Sequence, residues 1–134
     1  MRLLIDTHYV LWSALNSSRM ERWARKLIAD LNNEILVSAA SVYEISLKVR
    51  LGKLPEAAEF ESDLTLNIEK RLGYILLPLE PESMMRAARF EDKHGDPFDR
   101  MICAQAIEHH LPVLSIDPKL DAFGVRRLKN RSNR

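Results

Sequence analysis

Five carboxylates stand where the sequence pattern ends strands or starts helices: Asp6, Glu44, Asp96, Asp99 and Asp117. Taken singly, each has a structural use. Asp6 and Asp117 can form Asx turns or caps, and Asp96 can cap a helix whose macrodipole Asp99 complements. Glu44 can form a capping box with Ser41 or an i,i+4 pair with Lys48. Gathered in one place, they would do something else. Two unpaired carboxylates ~4 Å apart repel by about 4 kcal/mol at an effective dielectric near 20, so a cluster of four needs cations. Oxygen-only ligands favour Mg²⁺, with Mn²⁺ as the other candidate. A hydrated divalent ion in an acidic pocket suits phosphodiester hydrolysis, because it acidifies a bound water and neutralises charge developing on the phosphate.

The elements needed to gather these acids are legible. Residues 2–5, Arg-Leu-Leu-Ile, read as a short buried strand delivering Asp6 at its C-terminal end. Helices are expected over 9–15 and 18–31, the second with Trp23, Leu27 and Leu31 on one stripe. A strand over 34–37 precedes a helix capped by Ser38 or Ser41 and closed by Gly52. On that helix Glu44 is flanked by apolar stripes. The acids Glu56, Glu59, Glu61 and Asp63 read as a solvated face, ahead of a helix through Leu64, Leu66, Ile68 and Leu72 that ends at Gly73. A third strand covers 74–77, and Pro81 opens a helix with Met84, Met85, Ala88 and Phe90 facing inward. Asp96 and Pro97 then start a largely buried helix whose apolar run covers 98–107, with Asp99 at its third position. The segment 113–116 is a fourth strand ending at Asp117, and 125–128 reads as a short edge strand. The sum is an α/β, three-layer α/β/α domain with a central, mainly parallel sheet of four to five short strands. In such sheets ligands sit outside the strands' carboxyl ends, where all five acids can converge.

At 134 residues and 46% hydrophobic content, the chain fits one globular domain over 1–134, with a basic tail at about 126–134 that is expected to fray. A net charge of +1 does not announce a nucleic-acid binder, so any electrostatic footprint is local. Asp6 interrupts the first apolar run too early for a signal peptide or membrane span, and the lone Cys103 suits a reducing compartment. The expectation is therefore a cytoplasmic protein without a membrane partner. His8, His94, His109 and His110 lack a zinc signature, and of these only His94 stands where it could touch a substrate phosphate. Arg100 could bind phosphate or pair with an acid. The cations Arg126, Arg127, Lys129, Arg131 and Arg134 read as a solvated tail rather than an RNA contact.

Asp6-Thr7 after the first strand, Glu44 after the second, His94-Gly95-Asp96-Pro97-Phe98-Asp99-Arg100, and Ser115-Ile116-Asp117 follow one another in a familiar order. The chain resembles the PIN-domain ribonucleases, in particular the VapC-type toxins of type II toxin–antitoxin modules, over nearly its whole length. By that resemblance Asp6, Glu44, Asp99 and Asp117 are the catalytic quartet, and Asp6 and Asp99 bind the metal. Asp96 is a supporting carboxylate, and Thr7 and Ser115 assist by hydrogen bonding. The family more often has Thr at the position of Ser115, and Phe123-Gly124 stands where many relatives carry a Tyr. The resemblance implies a Mg²⁺-dependent endoribonuclease, an RNA substrate, a cognate VapB-like antitoxin and a homodimer.

Two other classes compete. A PIN-fold RNA-processing nuclease without an antitoxin has the same sequence features. A phosphoacceptor or binding module on a doubly wound sheet is disfavoured: a receiver domain needs an acidic pair after the first strand and a late Lys, and no Lys adjoins Asp117. A haloacid-dehalogenase-like phosphatase needs Asp-x-Asp, and His8 stands at the second Asp.

Overall fold

The computed structural model describes residues 1–131. Four strands, β1 (Arg2–Ile5), β2 (Glu34–Ser38), β3 (Ile75–Leu77) and β4 (Val113–Leu114), form one sheet in the order β3-β2-β1-β4. Every pairing is parallel, with Leu4 opposite Leu36 and Val113, and Val37 opposite Leu76. The chain winds outward from β1 through β2 to β3 and then crosses back to place β4 on the other side of β1. The strand order therefore reverses between β1 and β4, and it is at such a switch point that α/β sheets open a ligand crevice.

Alternation along the strands sends side chains into two cores. Leu3, Ile5, Ile35 and Val37 pack on one face with Tyr9 and Val10 of α1 (Thr7–Ala14), Ala24 of α2 (Arg22–Ala29) and Ile45 of α3 (Ala39–Arg50). Leu4, Leu36 and Leu77 pack on the other with Ile102, Cys103 and Ala106 of α7 (Pro97–Glu108). Between α3 and β3 lie α4 (Ala58–Ser62) and then, where one longer helix through Leu64 to Leu72 is expected, the single turn α5 (Leu64–Leu66) and a wide turn over Asn67–Arg71. The acids from Glu56 to Asp63 are exposed or half-buried, as a solvated face requires.

Four local expectations need correction. Helix α2 stops at Ala29 and Leu31 is 99% exposed, because Asp30 turns the chain, its carboxylate accepting the Asn32 amide at 2.9 Å. In α6 (Pro81–Arg89) the buried residues are Ser83 and Ala87, while Met85 is 46% exposed and Ala88 also faces out. Strand β4 ends at Leu114 because the Ser115 hydroxyl accepts the Asp117 amide at 3.1 Å and curls the chain away from the sheet. The basic tail is docked through 128: Val113 donates to the Arg126 carbonyl at 2.9 Å, Leu128 donates to the Val113 carbonyl at 2.8 Å, and Arg127 grips Asp121. The pairing expected for 125–128 is thus a single parallel bridge between Val113 and Arg127. Arg134 lies outside the described residues.

Candidate active site

Asp6 leaves β1 straight into the N-terminus of α1, where its Oδ1 accepts the Tyr9 amide at 3.2 Å as an N-cap. It is 4% exposed. Burial pushes its carboxyl up to about 6, against the opposing effects of hydrogen bonds from Ser115 and the Tyr9 amide. The neighbouring negative charge of Asp99 raises it further. Thr7 and Ser41 share a buried hydroxyl–hydroxyl bond of 2.8 Å, which ties the first turn of α1 to α3. Ser38, not Ser41, is the cap of α3, accepting the Ala40 amide at 2.9 Å. The capping box considered for Ser41 and Glu44 is therefore absent. Glu44, 7% exposed, takes the other local alternative and pairs with Lys48 at 2.5 Å.

The start of α7 supplies the opposite wall. Asp96 caps it with one oxygen, accepting the Phe98 and Asp99 amides at 2.9 and 3.1 Å. Asp99 is half-buried, and its carboxyl is raised chiefly by burial, with Asp96 and Glu44 adding to the effect and His94 opposing it. His94 turns back over the helix start so that its Nε2 lies 2.9 Å from Asp99 Oδ2. Asp117, at the end of the β4 segment, caps the Pro118–Phe123 3₁₀ turn through Oδ1, which accepts the Lys119 amide at 3.0 Å. Ligand atoms from His94, Asp99 and Asp117 lie within 4.8 Å of one another. Below them the Cys103 thiol is pushed up to about 12 by burial, with Asp99, Asp6 and Asp117 all contributing. It is core, and its environment registers how many acids gather above it.

Residues 3–125 match the family profile described as the PIN domain. The chain belongs to the PIN domain family. Similar solved structures cover almost all of this PIN domain. FitAcB from Neisseria gonorrhoeae is 25% identical, covers 96% of this chain and 97% of its own, and superposes with a TM-score of 0.66. VapBC2 from Rickettsia felis, bound to a DNA fragment from its promoter, is 17% identical with a TM-score of 0.70, covering 97% and 98%. VapC20 from Mycobacterium tuberculosis, a toxin that cleaves the sarcin–ricin loop, is 18% identical with a TM-score of 0.65, covering 96% and 99%. A comparison with curated proteins gives no match.

The donors in this PIN domain fit a divalent cation. Among the described residues no Lys or Arg forms an ion pair with Asp6, Asp99 or Asp117, and burial holds two of those carboxyls above their ordinary range. Anions left uncompensated in this way are stabilised by a bound cation. The group within mutual ligating reach contains His94 and Asp117 with Asp99; Asp6 adjoins it through its interaction with Asp99. Sequence reasoning set His94 beside a phosphate and did not place it among these donors. The signal was its position two residues ahead of the Asp96 cap, close enough to fold back on the first turn.

Among the described residues Arg100 pairs with no acid. Its guanidinium donates to the main-chain carbonyls of Ala87, Phe90, Asp92 and His94 at 2.6–3.0 Å, leaving little of it for a phosphate. Beside the acids a cleft lined by Thr7, His8, Trp12, Arg19, Glu44 and Lys48 opens between α1 and α3. The rings of His8 and Trp12 lie 5.8 Å apart within it. Among the described residues no helix is long and apolar enough to cross a membrane.

Proposed function

We propose that this PIN domain is a metal-dependent endoribonuclease acting in the cytoplasm as the toxin of a toxin–antitoxin pair. The observation that carries the reading is the convergence of buried Asp6 with Asp99, Asp117 and Glu44 at the switch point, with no Lys or Arg pairing the three aspartates among the described residues. Asp6 and Asp99, with Asp117 in reach of Asp99, would hold Mg²⁺ or Mn²⁺. Bound there, the cation would supply positive charge opposite a phosphodiester and would acidify a water. Ser115 keeps Asp6 in place, and Thr7 fixes α3 so that Glu44 faces the same opening. Asp96 positions Asp99 by capping its helix. The adjoining cleft offers the cation Arg19, the Glu44-paired Lys48 and the rings of His8 and Trp12, and cations beside rings are what single-stranded nucleic acid tracks and stacks on. The toxin assignment is supported by the FitAcB and VapBC2 assemblies and by VapC20. It brings with it a VapB-like antitoxin and a homodimer.

The test is RNA cleavage by the purified, partner-free protein. Cleavage is expected with Mg²⁺ and is expected to stop in EDTA. Asp6→Asn and Asp99→Asn are each expected to lose at least ~10²-fold in rate, as when a charge stabiliser is removed from a reacting centre. Unchanged turnover in both variants overturns the site. Growth arrest on induction, relieved by a neighbouring small reading frame, separates a toxin from an RNA-processing nuclease without an antitoxin.

A further inference from the structure

We infer that His94 is a nitrogen ligand of the cation, which makes the centre a mixed nitrogen–oxygen site that selects Mn²⁺ over Mg²⁺. This rests on the metal reading above and adds to it the identity of a donor.

The donor spacing fits neighbouring positions around one ion. Two donors on adjacent positions of an octahedral ion, each about 2.1 Å from it, stand about 3 Å apart, and opposite donors stand about 4.2 Å apart. Nε2 of His94 and Oδ2 of Asp99 are 2.9 Å apart, and the donor of Asp117 lies within 4.8 Å of both. The imidazole is also held in place. Its side chain is 16% exposed, and its ring lies against Phe123 with centroids 5.8 Å apart. The His94 amide donates to Asp92 at 2.8 Å, and its carbonyl accepts from Arg100 at 3.0 Å. The Nε2 lone pair coordinates when the ring carries its proton on Nδ1. The same atom donates to Asp99 when the ion is absent.

Selectivity follows from donor chemistry. Mg²⁺ takes oxygen donors and keeps its waters, whereas first-row divalent ions accept an imidazole nitrogen more readily, and of these Mn²⁺ is the one that also suits carboxylate and water donors. Replacing one oxygen by His94 therefore shifts preference toward Mn²⁺ without excluding Mg²⁺.

The experiment uses the full chain and the metals alone. Mn²⁺ and Mg²⁺ affinities are measured by calorimetry, and pulsed EPR of the Mn²⁺ form reads ¹⁴N coupling from a coordinated imidazole. Wild type is expected to show that coupling and to bind Mn²⁺ more tightly than Mg²⁺. His94→Gln keeps a hydrogen-bond donor for Asp99. It is expected to lose the coupling and at least tenfold in Mn²⁺ affinity, with Mg²⁺ affinity changed less than threefold, which also reports that the variant is folded. His8→Gln is expected to leave the coupling intact. Mn²⁺ bound without ¹⁴N coupling overturns the inference and leaves the carboxylate site standing. So does coupling that survives His94→Gln, or a Gln variant with wild-type Mn²⁺ affinity. Failure of wild type to bind either ion overturns the metal reading and this inference together.

Discussion

Burying Asp6 to 4% exposure carries its carboxyl from 3.8 to about 6 even though Ser115 and the Tyr9 amide both donate to it. At about 1.4 kcal/mol per pH unit, keeping it ionised at neutral pH costs the metal-free fold roughly 3 kcal/mol. The native state binds the proton more tightly than the unfolded chain does. Asp6's favourable contribution is therefore complete below 3.8 and is lost as pH rises through about 6. Asp6→Asn removes the titration while keeping an oxygen for the Tyr9 amide. In urea unfolding of the metal-free protein at pH 7.5, the variant is expected to be more stable than wild type by up to about 3 kcal/mol, with the gap closing toward pH 4. A destabilised variant at pH 7.5 would show that hydrogen bonding at Asp6 outweighs desolvation. Stability gained at a position where activity is expected to be lost is the signature of a group placed for chemistry rather than for the fold.

At the scale of elements, the turn from α6 into α7 holds the site together. Arg100 reaches back to carbonyls spread from Ala87 to His94 and lies near the Phe90 and Phe123 rings, so one side chain fixes the loop that presents His94 and starts the helix that presents Asp99. Hydrogen bonds from a charged donor each contribute about 1.5–3 kcal/mol, and only a planar fork can serve four carbonyls at once. Arg100→Ala is expected to destabilise by about 2–4 kcal/mol and to open residues 90–96 to limited proteolysis below the global melting temperature. Arg100→Lys is expected to rescue less than half of that loss; full rescue would mean that charge alone matters. Much of this element was legible in the sequence, because Asp96, Pro97 and Asp99 obey the rules for a helix start whatever surrounds them. The arginine clamp and the folded-back His94 were not, since both are set by tertiary contacts that no local pattern encodes. The same limit explains α6: Met84 and Met85 are adjacent, periodicity fits either phase, and only packing against α7 chooses the one that buries Ser83 and Ala87. Asp30 ended α2 early for a complementary reason, a polar side chain competing for the backbone where the apolar stripe still promised helix.

No single layer of the molecule owns the site. Asp6 comes from β1, Ser115 and Asp117 from the chain beyond β4, Glu44 from the helix after β2, and Asp99 from the helix before β4; they meet because the sheet order β3-β2-β1-β4 reverses beside β1. Any cation bound there is linked to the folding of the whole chain, which it stabilises by about 2.7 kcal/mol at a hundredfold excess over its dissociation constant. That linkage has a pH sign. Ion binding needs the carboxylates deprotonated, so the stabilisation grows as pH rises through the Asp6 value of about 6. In the metal-free protein the same rise removes the contribution of Asp6 and of Asp99, whose carboxyl is also raised. Melting temperatures measured from pH 5 to 8 in EDTA and in millimolar Mn²⁺ are therefore expected to diverge. The metal-free curve should fall relative to the loaded one, and the gap between them should widen most around pH 6. Asp6→Asn should reduce that widening, because one of the groups that sets it no longer titrates. A gap that stays constant with pH, or one that potassium at equal ionic strength reproduces, would mean that the acids share only a general field and do not enclose a divalent ion.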